Sequence, residues 1–226
     1  MSKEQPTLFP ELVPFQAQPP EESYVSFVPG VKPEEAFLEI DTLDELIGRM
    51  VECKRCGLRA GCRQVVVADG DPEADLMLVG EGPGQDEDEQ GLPFVGRAGQ
   101  LLDRILQAAS LRRDEVYITN VVKCRPPGNR LPNPGEVAAC RGYLDAQIRL
   151  IKPKILVCLG LLATRTIIDE QAAMGRTRGK WFTRQGISII ATYHPAALLR
   201  RQEYKRPTWE DFKSIRDRYQ NLRRGE

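Results

Sequence analysis

Strand and helix alternate along this chain, and the alternation predicts an α/β fold, a single domain with a largely parallel central sheet and helices on both faces. Four short apolar runs, "DLMLVG" (75–80), "EVYITNVV" (115–122), "KILVCLG" (154–160) and "ISIIATYHP" (187–195), have the length and composition of buried strands. Segments with helical spacing separate them. At 226 residues and 41% hydrophobic content, the chain can bury one substantial core.

In chain order, residues 1–40 read as a disordered or loosely attached extension, rich in proline and without sustained periodicity, and the folded domain spans 41–226. It opens with the helix of "DTLDELIGRMVECKRC", where an Asp/Thr cap precedes Leu43, Leu46, Ile47 and Met50 on one face. The first strand, 75–80, feeds a glycine-rich acidic turn. Helix "GRAGQLLDRILQAASL" follows, then strand 115–122, helix "PGEVAACRGYLDAQIRLI", strand 154–160, a helix around "LLATRTIID", strand 187–195 and the closing helix "TWEDFKSIRDRYQNLRR". In such sheets ligands bind beyond the carboxyl ends of the strands. That rule marks "GEGPG" (80–84), Asn120 and "HPAALLR" (194–200) as one candidate site.

The formal net charge of zero conceals two unlike parts. Residues 1–50 carry 3 basic against 10 acidic side chains, so the remaining 176 carry 29 against 22. A basic body is compatible with nucleic acid. No apolar run approaches the ~18 residues of a membrane span, and the N-terminus lacks the character of a signal peptide. A cytoplasmic protein without membrane contact is expected, and a monomer. Six cysteines in that compartment read as metal ligands or plain thiols before disulfides. Cys53 and Cys56 form a C-x2-C pair, and Cys124 and Cys140 a second pair, together able to supply four thiolates to zinc or to an iron–sulfur cluster. Cys158 reads as a buried small hydrophobe and Cys62 as a spare thiol.

The first turn excludes one ligand class. Glu81, Asp86, Glu87, Asp88 and Glu89 surround its glycines with no Lys or Arg before Arg97, so a bare phosphate would be repelled. A neutral ligand fits, or a reaction that needs a carboxylate. The chain's single histidine, His194, stands at the end of the last strand, on the same sheet edge as Asn120 and the acidic turn.

"GEGPGQDEDEQGLPFVGRAGQLL", "YITNVVKCRPPGNR" and "HPAALLR", in this order and with the four cysteines, resemble the iron–sulfur (family 4) uracil-DNA glycosylases over roughly residues 45–220. The resemblance implies a three-layer α/β/α domain with a four-stranded, mainly parallel sheet, a 4Fe-4S cluster on Cys53, Cys56, Cys124 and Cys140, and excision of flipped-out uracil from DNA in base excision repair. It implies that the backbone of Gly80, Glu81 and Gly82 walls the pocket, Phe94 stacks on the base, and Asn120 reads its O4 and N3 edge. A carboxamide can donate to O4 and accept from N3–H, a pattern that cytosine lacks. His194 would donate to O2 and stabilise the departing anion. Glu81 and Glu87, with Asn129 behind them, are the carboxylates placed to favour the sugar cation and orient water. The best-known uracil glycosylases carry an aspartate at the position of Gly82. Leu198, with Leu199, would fill the gap in the base stack, while Arg200 and Arg201 meet phosphates.

Two other readings differ in class. A relative that traps uracil-DNA covalently uses a second histidine in an arginine-rich insertion, which this chain lacks. A catalytically inactive DNA-binding relative would have no need of Asn120 and His194. Before the domain, Gln5, Leu8 and Phe9 form a Q-x-x-L-F pattern that looks like the peptides by which bacterial DNA-processing proteins dock on the replication sliding clamp.

Overall fold

In the computed structural model, which describes residues 24–225, six strands form one mixed sheet: β1 (Asp69–Gly70), β2 (Leu76–Gly80), β3 (Tyr117–Asn120), β4 (Ile155–Leu159), β5 (Trp181–Arg184) and β6 (Ile187–Thr192). Their order is β1-β3-β2-β4-β6-β5. The four strands expected from sequence form the parallel centre, and β1 and β5 add antiparallel edges, so the expected four-stranded sheet is corrected to six. The two edges escape a hydrophobicity reading for physical reasons. β1 is only Asp-Gly, and β5 is a half-exposed edge joined to β6 by a tight hairpin in which Gln185 and Gly186 both have positive φ.

Nine α-helices occur among the described residues: α1 (Leu43–Val51), α2 (Leu58–Gly61), α3 (Gln85–Gln90), α4 (Arg97–Ala108), α5 (Pro134–Ile151), α6 (Leu161–Ile167), α7 (Met174–Thr177), α8 (Pro195–Arg200) and α9 (Lys205–Arg224). None is long and apolar enough to cross a membrane. α1 starts where Thr42 Oγ1 accepts from Glu45 N at 3.3 Å. α5 starts at a reciprocal cap, with Asn133 Oδ1 accepting from Glu136 N and Glu136 accepting from Asn133 N, and Pro134 at its first position.

β2 and β4 are buried at every residue because helices cover both sheet faces. Successive side chains alternate between the faces. Met77, Val79, Leu156, Cys158, Ile189 and Ala191 pack with Leu144 and Ile148 of α5 and Ala163 and Ile167 of α6. Leu76, Leu78, Ile155, Val157 and Ile190 pack with Leu102 and Leu106 of α4 and Phe212, Ile215 and Tyr219 of α9.

Residues 24–40, which the sequence reading assigns to the extension, lie along α5. Phe27, Val28, Val31, Ala36 and Ile40 are buried, and Val28 N donates to the buried Asp145 carboxylate at 2.7 Å. The sheet register brings the motifs together: Gly80 pairs with Asn120, and Leu159 with Thr192, two residues before His194.

Candidate active site

At the carboxyl ends of β2, β3 and β6 lies a cleft of about 400 Å³, lined by the turn after β2, Phe94, the start of α4, Asn120 with the loop that follows it, His194 and Ala196. Two glycines let its walls close. A Cβ on Gly80 would stand 2.4 Å from Asn120 Oδ1 and 2.5 Å from the Phe94 ring. Gly160, at φ +92, would place one 2.8 Å from His194 Cβ.

Phe94 is buried and has φ +54, a left-handed conformation that costs a bulky side chain of order 1–3 kcal/mol. Its surroundings hold it there. Arg113 donates to the carbonyls of Pro93 (2.6 Å) and Phe94 (3.2 Å), and is itself held by Asp69 (2.8 Å) and Asp103 (2.7 Å). The Phe94 ring lies 5.5 Å from the imidazole of His194, tilted by 30°.

Asn120 is 2% exposed, and its Oδ1 finds no hydrogen-bond partner in the protein. A buried unpaired acceptor at a cleft wall is suited to a ligand donor. Its backbone is fixed from behind by Lys123, whose buried Nζ donates to Asn120 O at 2.6 Å, to Thr119 Oγ1 at 2.7 Å and to Gln147 Oε1. Burial pushes the Lys123 pKa down to about 7.

His194 caps α8: Nδ1 accepts from Ala196 N at 3.2 Å, so the neutral ring carries its proton on Nε2. Burial, with a smaller contribution from Arg200, lowers its pKa to about 4. The cleft therefore presents a neutral imidazole donor near pH 7.

The two candidate carboxylates separate. Glu87 is fully engaged, accepting from Gly84 N (3.0 Å), Val95 N (3.0 Å) and Gly96 N (2.9 Å), so it ties the acidic turn to the start of α4. Glu81 lines the cleft, and burial raises its pKa against the opposing charge of Arg200. Asn129 also lines the cleft, its Oδ1 bound to Arg125 Nε at 2.7 Å. The two leucines separate as well. Leu198 is 2% exposed, whereas Leu199, 38% exposed, faces solvent with Arg200 and Arg201.

The 4Fe-4S expectation is corrected. Cys53, Cys56, Cys124 and Cys140 line one small cavity beside Lys123 and Tyr143, but among the described residues no group of three or more His, Cys, Asp or Glu is arranged to hold a metal ion. Burial pushes the Cys124 pKa well up, and the neighbouring Cys62 thiol adds to the rise. Burial also raises the Cys140 thiol to about 11. Cys158 is buried in β4 as expected.

The sequence reading passed over Arg113 and Lys123. Lys123 carried a signal, lying three residues after Asn120 in the same motif. Arg113 carried none, since only the folded chain brings it beneath Phe94.

An α/β sheet that gathers a buried carboxamide, an aromatic ring and a neutral imidazole in a cleft at its carboxyl edge defines the class of open-sheet, ligand-binding α/β proteins. The family model of the uracil DNA glycosylase superfamily matches residues 67–213. Type-4 uracil-DNA glycosylases are similar over most of the chain. That of Archaeoglobus fulgidus is 42% identical over 184 residues (78% of this chain, 92% of the relative), and that of Thermotoga maritima 42% over 174 residues (74% and 90%). The relative from Sulfurisphaera tokodaii is 42% identical over 187 residues, covering 79% of this chain and 85% of its own. The chain belongs to the uracil DNA glycosylase superfamily and, within it, to the type-4 enzymes.

Proposed function

We propose that this protein flips uracil out of DNA and hydrolyses its N-glycosidic bond, leaving an abasic site for base excision repair. It is a hydrolase of N-glycosyl bonds, and its substrate is uracil-containing DNA. The observation that carries the site assignment is the unpaired Oδ1 of buried Asn120, set in a cleft with Phe94 and His194. Uracil offers N3–H to that oxygen and O4 to the amide nitrogen, whereas cytosine would leave buried groups unpaired. Phe94 stacks on the base, and the backbone of Gly80, Glu81 and Gly82 walls it.

As the bond breaks, negative charge grows on the ring and positive charge on the sugar. Neutral His194 donates Nε2–H to O2 of the leaving anion. Glu81 is the carboxylate available to the sugar cation and the incoming water. Glu87, with three backbone donors already bound, shapes the turn that carries Glu81. Leu199 takes the wedge position, and Arg200 and Arg201 meet phosphates.

Single-turnover release of uracil from an oligonucleotide tests this reading. Asn120→Asp should lose most uracil activity and weaken discrimination against cytosine, because a carboxylate cannot donate to O4. Undiminished uracil release would remove Asn120 from the pocket.

The enzyme domain of residues 41–226, with residues 24–40 packed against it, acts as a cytoplasmic monomer. Gln5, Leu8 and Phe9 lie outside the described residues; their pattern supports docking on a replication sliding clamp, which would raise the enzyme's effective concentration at newly made DNA. A labelled peptide of residues 1–14 should bind a bacterial clamp at tens of micromolar in fluorescence anisotropy. Binding unchanged by Leu8→Ala with Phe9→Ala would end that assignment.

A further inference from the structure

The cleft has two rims. One is α8, with Leu199, Arg200 and Arg201. The other is the loop 125–132 after β3, whose Pro126, Asn129, Arg130 and Pro132 line the cleft. In the strand order β3-β2-β4-β6, the segments after β3 and β6 stand on either side of the turn after β2. The two rims therefore face each other across the cleft.

Leu131 on the second rim is 68% exposed. A single exposed leucine is ordinary. The backbone that carries this one is held in place by its surroundings. Arg130 forks onto both carboxylate oxygens of Glu136 at 2.8 and 2.7 Å, and its Nη1 also donates to the Leu131 carbonyl at 3.0 Å. Glu136 is locked in turn by the reciprocal cap of α5. Pro126, Pro127, Pro132 and Pro134 fix φ along the same stretch, so little freedom remains for the leucine to fold back.

We propose that Leu131 is a second apolar contact with DNA, bearing on the duplex base stack beside the position that the extruded uracil vacates, from the rim opposite Leu199. The proposal rests on the reading of the cleft as the uracil pocket. Flipping interrupts the stack and exposes base faces on both sides of the gap, and an apolar side chain covers such a face favourably. Backbone already fixed in place loses little entropy on contact. Arg125, bonded among the described residues only to the neutral Asn129 amide, supplies positive charge for a phosphate backbone on the same loop.

The test compares kcat/KM of wild type, Leu131→Ala and Leu131→Met on a duplex and on a single-stranded uracil oligonucleotide, with His194→Ala in parallel. Leu131→Ala should lower duplex activity roughly tenfold, the loss expected for most of one leucine's apolar contact. Single-strand activity should stay within twofold, and Leu131→Met should recover most of the duplex loss. The side chain is exposed, so the melting temperature should not move. Duplex activity within twofold of wild type, or an equal loss on both substrates, would overturn the proposal. Near-normal turnover of His194→Ala would instead overturn the underlying pocket assignment, which separates the two failures.

Discussion

His194 is the only histidine in the chain, so its ionisation can be followed without interference. Its pKa is lowered to about 4 by burial and by Arg200. A proton NMR titration should therefore show the single imidazole resonance moving near pH 4, with no midpoint near the ordinary 6.5. The sign of the stability effect follows. Between about pH 6.5 and 4 the unfolded chain takes up a proton that the native state declines, so stability falls as pH drops through that window and levels below it. His194→Gln should make the urea midpoint flatter over the same range. In catalysis, His194→Ala should slow base release about 10²-fold or more in single-turnover assays, the worth of one preorganised donor to a developing anion. The meeting of Asn120 and His194 at one sheet edge was legible in the sequence because each lies at a strand end, whereas Phe94, beyond α3, entered only through the family resemblance. The choice between Leu198 and Leu199 was not legible, since neighbouring helical residues point about 100° apart and only tertiary packing decides which is buried. Nor was the engagement of Glu87, which depends on the chain returning eight and nine residues later to present Val95 N and Gly96 N.

At the scale of the element, the segment from Pro93 to Gly96 carries the Phe94 ring in a conformation that it would not adopt alone. Arg113 holds two of its carbonyls, and Glu87 two of its amides. Arg113→Ala should release Phe94 from its positive φ, lowering stability by roughly 1–3 kcal/mol in urea denaturation. It should also lower kcat for uracil release. If Arg113 acts through the ring, Arg113→Ala made on a Phe94→Ala background should add little further loss, whereas additive effects would mean an unrelated role. The same scale explains what the pattern of apolar runs conveyed. Strands β2, β3, β4 and β6 were visible because both faces are buried, while β1 and β5 rest on backbone pairing and a hairpin turn. Cysteine spacing was a weaker guide. C-x2-C reports two thiols on one loop, but whether they and the later cysteines are arranged to hold a metal ion is a matter of distances that spacing does not encode.

For the whole molecule, residues 24–40 act as a strap. Phe27, Val28, Val31 and Ile40 are buried, the Phe37 ring stacks on Tyr143 at 4.5 Å, and Arg149 Nη2 donates to the carbonyls of Phe37 and Ile40 at 2.9 and 2.7 Å. Removing residues 1–40 should cost on the order of 5 kcal/mol by this apolar burial, seen as a lower urea midpoint. An unchanged midpoint would make the strap dispensable. Tyr24 and Val25 sit against Lys152, Pro153, Lys154, Gly186 and Ile187, where β4 and β6 begin. The cleft lies where the parallel strands end. The chain thus enters the domain at the butt end of the sheet, and a load applied there would leave the opposite, working edge uncovered.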